Sequence, residues 1–160
     1  VYFKEAGIPA YVRREYQNVN NFIGTDITVD SPALDMPMAI ECKSRKPLKR
    51  YNLKDLFKNE QFERIDHFLQ LSGRRGFLAI EAHGRPKNKY FVIRWGELRL
   101  LFDRKQKSFT LYDPAELPRP VKKDEIAAKE LVKTDGKWNI GDCFGAYKLG
   151  DNDLRILSVR

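Results

Sequence analysis

The sequence predicts a mixed α/β domain, a central mixed β-sheet flanked by helices, with a C-terminal addition. Three observations carry that expectation. Short apolar segments with strand-like alternation occupy Ala10 to Arg14, Gly24 to Val29 and Met38 to Ser44. A longer segment from Leu53 to Ser72 repeats its apolar residues at helical spacing, and two further strand-like runs follow at Phe77 to Ala82 and Tyr90 to Trp95. A length of 160 residues suits one domain, or one domain plus a small addition, and suffices for a buried core. The expected division is a core over residues 1–113 and an addition over 114–160 packed on it.

Each element has its own justification. Val1 to Ala6 reads as the end of a helix stopped at Gly7, and Ala10-Tyr11-Val12-Arg13-Arg14 as the first strand. Gly24 to Val29 and Met38 to Ser44 read as the two arms of a hairpin. Side chains alternate along a strand, so Glu41 and Lys43 point one way while Ile40 and Cys42 point towards an apolar core. If the hairpin closes symmetrically over Asp30 to Pro37, Asp26 lies opposite Glu41. Leu53, Leu56, Phe57, Gln61, Ile65, Phe68 and Leu69 form a stripe on one helix of about five turns, capped by Gly73. Phe77 to Ala82 and Tyr90 to Trp95 are joined by the basic turn His83 to Asn88.

Further on, Leu98, Leu100, Leu101 and Phe102 supply buried mass, and Ser108 to Tyr112 reads as an edge strand. Pro114, Pro118 and Pro120 mark a connector. Asp124 to Lys133 is expected to be a short helix, capped by Asp124 with Glu125 in its first turn. Trp138 to Ile140, Ala146 to Leu149 and Leu154 to Leu157 read as small strands. The C-terminal segment has three possible roles: covering a sheet edge, making a dimer contact or gripping a substrate.

The chemistry is concentrated in the hairpin. Two carboxylates facing each other across a strand pair repel and destabilise the fold unless a cation lies between them. A hard divalent ion such as Mg2+ fits that need, with Mn2+ as a substitute. The acid-x-lysine triplet Glu41-Cys42-Lys43 has two decoys, Asp103-Arg104-Lys105 and Asp135-Gly136-Lys137, but both lie in polar, turn-like sequence. The first triplet follows an apolar run of strand length and precedes a basic segment.

Charge points to a polyanionic partner. Thirty Lys and Arg against 22 Asp and Glu give a formal charge of +8, a surplus that favours phosphate contacts and counterion release. Lys43, Arg45, Lys46, Lys49, Arg50 and Lys54 follow one another without an intervening acid, and Arg74, Arg75, Arg85, Lys87 and Lys89 flank the next hairpin. The turn at His83 to Asn88 is either a solvated tip or a loop that grips a nucleic-acid backbone. Two cysteines, Cys42 and Cys143, exclude a four-thiolate zinc or iron–sulfur site. The absence of a signal peptide or long apolar span gives the expectation of an intracellular, reduced protein without membrane contact. His67 and His83 share no metal-ligand spacing, and His67 is expected on the helix surface.

Gly24-Thr25-Asp26, Ile40-Glu41-Cys42-Lys43, Lys49-Arg50-Tyr51, the helix near Leu53 to Ser72 and Gly76-Phe77-Leu78-Ala79-Ile80 follow one another in an order that resembles the PD-(D/E)xK nuclease superfamily, most closely the archaeal-type Holliday junction resolvases. The resemblance covers roughly the first 95 residues. It implies a restriction-endonuclease-like core and a Mg2+-dependent endodeoxyribonuclease. Asp26, Glu41 and the carbonyl of Cys42 would hold the metal, and Lys43 would orient or help deprotonate the attacking water. Gln61, otherwise a glutamine at the edge of an apolar stripe, would help position that water or the phosphate. Arg45, Lys46, Lys49, Arg50, Lys54, Arg85, Lys87 and Lys89 become candidates for DNA contacts. The products would carry a 5′-phosphate and a 3′-hydroxyl.

A resolvase acts on branched DNA in recombination and repair and needs a two-fold dimer. The alternatives are a restriction-like or repair nuclease on duplex or flapped DNA and a non-catalytic nucleic-acid-binding module. The family also has a glutamate on a helix upstream of the hairpin. Glu5 lies too close to Gly7 to match it, which leaves the expectation that the N-terminal helix is truncated and the third acid lies upstream or comes from elsewhere.

Overall fold

Eight consecutive residues, Met38–Arg45, form strand β3, and this strand organises the chain. Its buried first half, Met38–Glu41, alternates between the two faces of the sheet, while the second half reaches towards solvent. The computed structural model describes residues 7, 8, 10–15, 24–32, 37–47 and 49–144, together with the backbone of 148–149 and 155–156. Strands β1 (Tyr11–Arg14) and β2 (Ile27–Asp30) lead into β3 through antiparallel pairings. After β3 come β4 (Tyr51–Asn52), the short helix α1 (Leu53–Leu56) and α2 (Gln61–Ser72). This helical crossover returns the chain to β5 (Arg75–Ala82), which pairs with β3 in parallel, as two strands joined through helices can. β6 (Lys89–Arg94) pairs antiparallel with β5, and helix α3 (Trp95–Asp103) follows directly.

The main sheet has the order β1-β2-β3-β5-β6-β9, with β9 formed by Lys129–Glu130. It is mixed and carries helices on its faces, as expected for this fold class. One face packs Ala39, Leu78, Ile80 and Ile93 against α2 and α3. The other packs Met38, Ile40, Phe77 and Val92 against Leu131, Ile140 and Phe144. A second sheet sets β7 (Ser108–Tyr112) between β4 and β8 (Glu125–Ala127).

The expected helix from Leu53 to Ser72 is broken. Phe57 is extended, and Asn59 (φ 54°) and Glu60 (φ 59°) are left-handed, so α2 starts afresh at Gln61. The break lets Phe57 turn inward, where its ring meets Phe62 at 5.5 Å and Trp95 at 5.4 Å, both edge-on. Gly73 (φ 67°) does cap α2, donating to Leu69 O at 3.0 Å. Gly76 allows β5 to pass close beneath α2 and α3, since a Cβ there would lie 2.3 Å from Leu69 Cδ1 and 2.9 Å from Trp95 Cβ.

Beyond Trp95 several expectations change. Leu98 and Leu101 are buried, but Leu100 and Phe102 are 50% and 41% exposed, because α3 covers the sheet with one face only. Ser108–Tyr112 is the middle strand of its sheet and not an edge. The expected helix from Asp124 to Lys133 is instead the strands β8 and β9, with Lys133 beginning a third. Ile126 and Ala128 are buried at a period of two, and Ala128 N–H donates to Tyr112 O at 3.0 Å. Pairing with β7 and β6 decides between strand and helix here, and that pairing is tertiary.

Asp135 and Gly136, both at positive φ, turn the hairpin between β10 (Lys133–Thr134) and β11 (Lys137–Trp138). Ile140 opens helix α4 (Ile140–Phe144) and does not continue a strand from Trp138. Lys148–Leu149 and Arg155–Ile156 pair antiparallel as β12 and β13. Residues 1–6, expected to end a helix, lie outside the described residues.

Candidate active site

The register Ile27↔Ile40, Thr28↔Ala39, Val29↔Met38 continues one step to place Asp26 opposite Glu41. Asp26 immediately precedes Ile27, the first paired residue of β2, and its Oδ2 accepts the Cys42 backbone N–H at 2.8 Å. A strand residue directs its N–H and C=O to the same side, so the Cys42 carbonyl emerges on the edge that Asp26 occupies. Glu15 N–H donates to Asp26 O at 2.8 Å, which ties the end of β1 to the same point.

Among the described charged residues Glu41 is the most deeply buried, 1% exposed. Its Oε1 is held on two sides, by Lys43 Nζ at 2.9 Å and by Gln61 Nε2 at 2.9 Å. Lys43 also donates to Gln61 Oε1 at 2.8 Å, which closes a three-residue ring. The other carboxylate oxygen, Glu41 Oε2, is buried with no hydrogen-bond partner. Burial raises the Glu41 pKa above its ordinary value and the Asp26 charge adds to that rise, while Lys43 and the Asp26 backbone N–H oppose it.

Gln61 reaches this ring because the chain breaks before it. As the first residue of α2 it projects back towards β3, whereas within an unbroken helix it would have been set by the helix axis alone. Phe57, released by the same break, lies under the Lys43 ammonium at 5.6 Å from ring centroid to Nζ. In the sequence Phe57 is one more apolar member of the stripe, and nothing local distinguishes it from core.

Glu15 is a second residue that local sequence does not reveal. Its Oε1 accepts from Thr28 Oγ1 at 3.3 Å and from Arg13 Nε at 2.6 Å. Thr28 is two residues from Asp26 on β2, so Glu15 stands on the Asp26 side of the sheet. Only the β1–β2 pairing brings it there.

Cys42 does not pack into the core as expected. Its side chain opens into an apolar hollow of about 480 Å3 lined with Ile40, Ala79 and Phe144 and is reached by solvent there. Although open on that side, the thiol is desolvated by the protein around it, and this, with the Asp26 and Glu41 charges, pushes it up to about 12, so it stays protonated at neutral pH. Only its carbonyl suits a hard metal ion.

Among the described residues no three His, Cys, Asp or Glu side chains form a metal-binding group. Two carboxylates and a carbonyl nevertheless suit Mg2+, which binds through one or two carboxylates and keeps its remaining waters. The unpartnered Glu41 Oε2 beside a second acid is the observation that supports this fit.

The basic candidates fall into different places. Lys46, Lys49, Lys54, Arg85, Lys87 and Lys89 are exposed. Arg45 is turned inward, donating to Ser44 O at 2.7 Å and Asp55 O at 2.8 Å. Arg50 bridges Ser108 Oγ at 3.0 Å and Asp124 across the second sheet. Both arginines make contacts within the protein, and Arg50 stays exposed while doing so. His67 is exposed on α2, and His83 contacts Ser44 Oγ and Glu81 Oε1, the latter at 3.2 Å.

The chain matches no family model and no curated protein. Among solved structures it is similar to Hjc of Archaeoglobus fulgidus, a Holliday junction resolvase from an archaeal hyperthermophile. Identity is 19% over 60% of this chain and 71% of that chain, with a TM-score of 0.43. An overlap at that level does not carry function from one chain to the other, so the site is judged on its own atoms. No described helix is long and apolar enough to cross a membrane.

Proposed function

We propose that the protein is a metal-dependent endodeoxyribonuclease that hydrolyses phosphodiester bonds, acting on branched DNA as a Holliday junction resolvase. The observation that carries the proposal is the state of Glu41: one oxygen is clasped by Lys43 and Gln61, and the other is buried, unpartnered and beside Asp26. A buried carboxylate oxygen left unmet is costly, and a divalent cation between the two acids removes the cost. The motif order from Gly24 to Ile80 supports the nuclease chemistry and the choice of a branched substrate.

Asp26, Glu41 and the Cys42 carbonyl would hold Mg2+ or Mn2+. When bound, the ion supplies Lewis-acid activation of a phosphate and of a water. The protein's own groups do the rest. Lys43 presents a positive charge held at Glu41 Oε1, where it would offset charge developing on the phosphate oxygens. Gln61 fixes the Lys43 ammonium and the Glu41 carboxylate relative to each other, and its amide can hold a water for in-line attack. Phe57 closes the lower side of the ammonium against solvent.

Paired cuts in strands of opposite polarity require two such sites related by a two-fold axis, so a homodimer belongs to the proposal. The test is cleavage of end-labelled four-way junction, linear duplex, flap and single strand with Mg2+ or Mn2+. Symmetric paired nicks in the junction alone are expected. Cutting of plain duplex would reassign the substrate, and binding without cutting of any form would leave a non-catalytic module.

A further inference from the structure

Two grooves lined by basic side chains lie at opposite ends of the β5–β6 hairpin, and they differ in how their charge is met. One, of about 540 Å3, gathers Arg74, Arg75, Arg94 and Arg99. Its charge is largely answered within the protein: Arg74 pairs with Asp30 at 3.0 Å, Arg99 with Asp66 at 2.6 Å, and Glu97 stands in its wall. The other, of about 520 Å3, gathers Lys49, Arg85, Lys87 and Lys89 and has no acid in its lining. None of these four side chains forms a hydrogen bond or ion pair with the described residues. Four like charges gathered in one groove repel one another and concentrate a positive field there, which small counterions screen and a polyanion would satisfy by displacing them.

The groove is built, not a chance gathering of flexible tips. Lys49 comes from the segment after β3, and Arg85, Lys87 and Lys89 come from the turn between β5 and β6, so two regions distant in sequence converge. The turn is anchored to the end of β3, with His83 N–H donating to Arg45 O at 2.9 Å and Gly84 N–H to Asn88 Oδ1 at 3.2 Å. Pro47, Tyr51 and Phe91 form its apolar floor. β3 connects it to the candidate active site: Pro47 is four residues beyond Lys43, about 13 Å at strand rise.

We infer that this groove is a separate binding site for the sugar–phosphate backbone of the DNA, on the side of the cut towards which the C-terminal end of β3 points. The inference rests on the nuclease proposal for its substrate but not for its test. Recognition there is electrostatic, so it is independent of base sequence and of metal, and each cation displaces about one counterion. Lys49, Arg85, Lys87 and Lys89 act in it together, while Arg45 and Arg50, committed to contacts within the protein, do not.

The experiment is fluorescence anisotropy of labelled DNA in EDTA over a salt series. It compares wild type, the fourfold variant K49A/R85A/K87A/K89A and the control K105A/K107A, with circular dichroism establishing that each is folded. The slope of log K against log salt should fall by about 3 to 4 in the fourfold variant, at about 0.9 per cation, and stay unchanged in the control. Between 50 and 200 mM salt that difference amounts to roughly a hundredfold in affinity. An unchanged slope in a folded fourfold variant overturns the inference, as does equal displacement of DNA by polyglutamate and by competitor DNA. Glu41→Gln, assayed alongside, should keep the wild-type slope and lose cleavage. If no form cuts DNA yet the slope falls, the nuclease proposal fails while the groove stands; if wild type cuts and the slope does not move, the reverse holds.

Discussion

Gln61 Nε2 donates to Glu41 Oε1 at 2.9 Å, a contact between the first residue of a helix and the middle of a strand 20 positions earlier. Because Lys43 donates to both of them, the positions of acid, amide and ammonium are set together. The chemistry proposed for the site depends on that coupling, and each member can be tested separately.

Removing the charge of Glu41 should stabilise the metal-free protein. Its folded-state pKa is raised above 4.5, chiefly by burial, so the folded protein holds that proton more firmly than the unfolded chain does. The resulting stability is complete below pH 4.5 and is lost as pH rises through the folded-state value. Glu41→Gln, which keeps the shape of the side chain without its charge, should therefore be more stable than wild type at neutral pH and show no such gain below pH 4.5. Urea unfolding in EDTA at several pH values measures this; a destabilised variant at neutral pH would contradict it.

Metal binding should separate the acids from the lysine. Wild type should bind Mg2+ or Mn2+ by calorimetry and gain melting temperature from it, and Asp26→Asn and Glu41→Gln should lose both. Lys43→Ala should bind metal at least as well as wild type, because a competing cation has left Glu41. Loss of affinity in Lys43→Ala equal to that of the acid variants would show that the lysine helps build the metal site and that the proposed division of roles is wrong.

Gln61→Leu keeps the bulk of the side chain and removes both of its bonds. Cleavage should fall by about 10- to 100-fold, the usual range for a residue that positions others, and Gln61→Glu should not restore it, since the Lys43 contact returns without the amide donor to Glu41. An unaffected rate in Gln61→Leu would return this residue to the edge of the apolar stripe.

The break before α2 predicts a gain of stability elsewhere. Glu60 adopts a left-handed φ of 59° that costs a residue with a side chain about 1–2 kcal/mol. Glu60→Gly should recover about 1 kcal/mol of that in denaturant unfolding with the cleavage rate unchanged. Destabilisation would mean that the Glu60 side chain supports the helix start in some way other than through its backbone.

The hairpin was legible in sequence because strand alternation and an apolar lead-in determine which side chains share a face, and Asp26 does lie across from Glu41. The break at Phe57 to Glu60 was not, because the apolar spacing runs through it, and what rewards it is contact with Phe62 and Trp95 from elsewhere in the fold. Asp124 to Lys133 misled for a related reason: an acidic start and two alanines favour a helix locally, while the open partners of β7 and β6 make strands. The basic residues were visible as a class, but which of them already have partners within the protein depended on Asp55, Ser108 and Asp124, which meet Arg45 and Arg50. Glu15 and the groove at Lys49 arise only from pairing between distant segments.

The central claim, that Asp26 and Glu41 hold a metal for phosphodiester hydrolysis, is tested most directly by incubating a labelled four-way junction with wild type, Asp26→Asn and Glu41→Gln, with Mg2+ or with EDTA, and analysing the product ends. Cutting by wild type only with metal, leaving 5′-phosphate and 3′-hydroxyl ends and abolished in both variants, is the predicted result. Cutting that persists in EDTA or in either variant would contradict it.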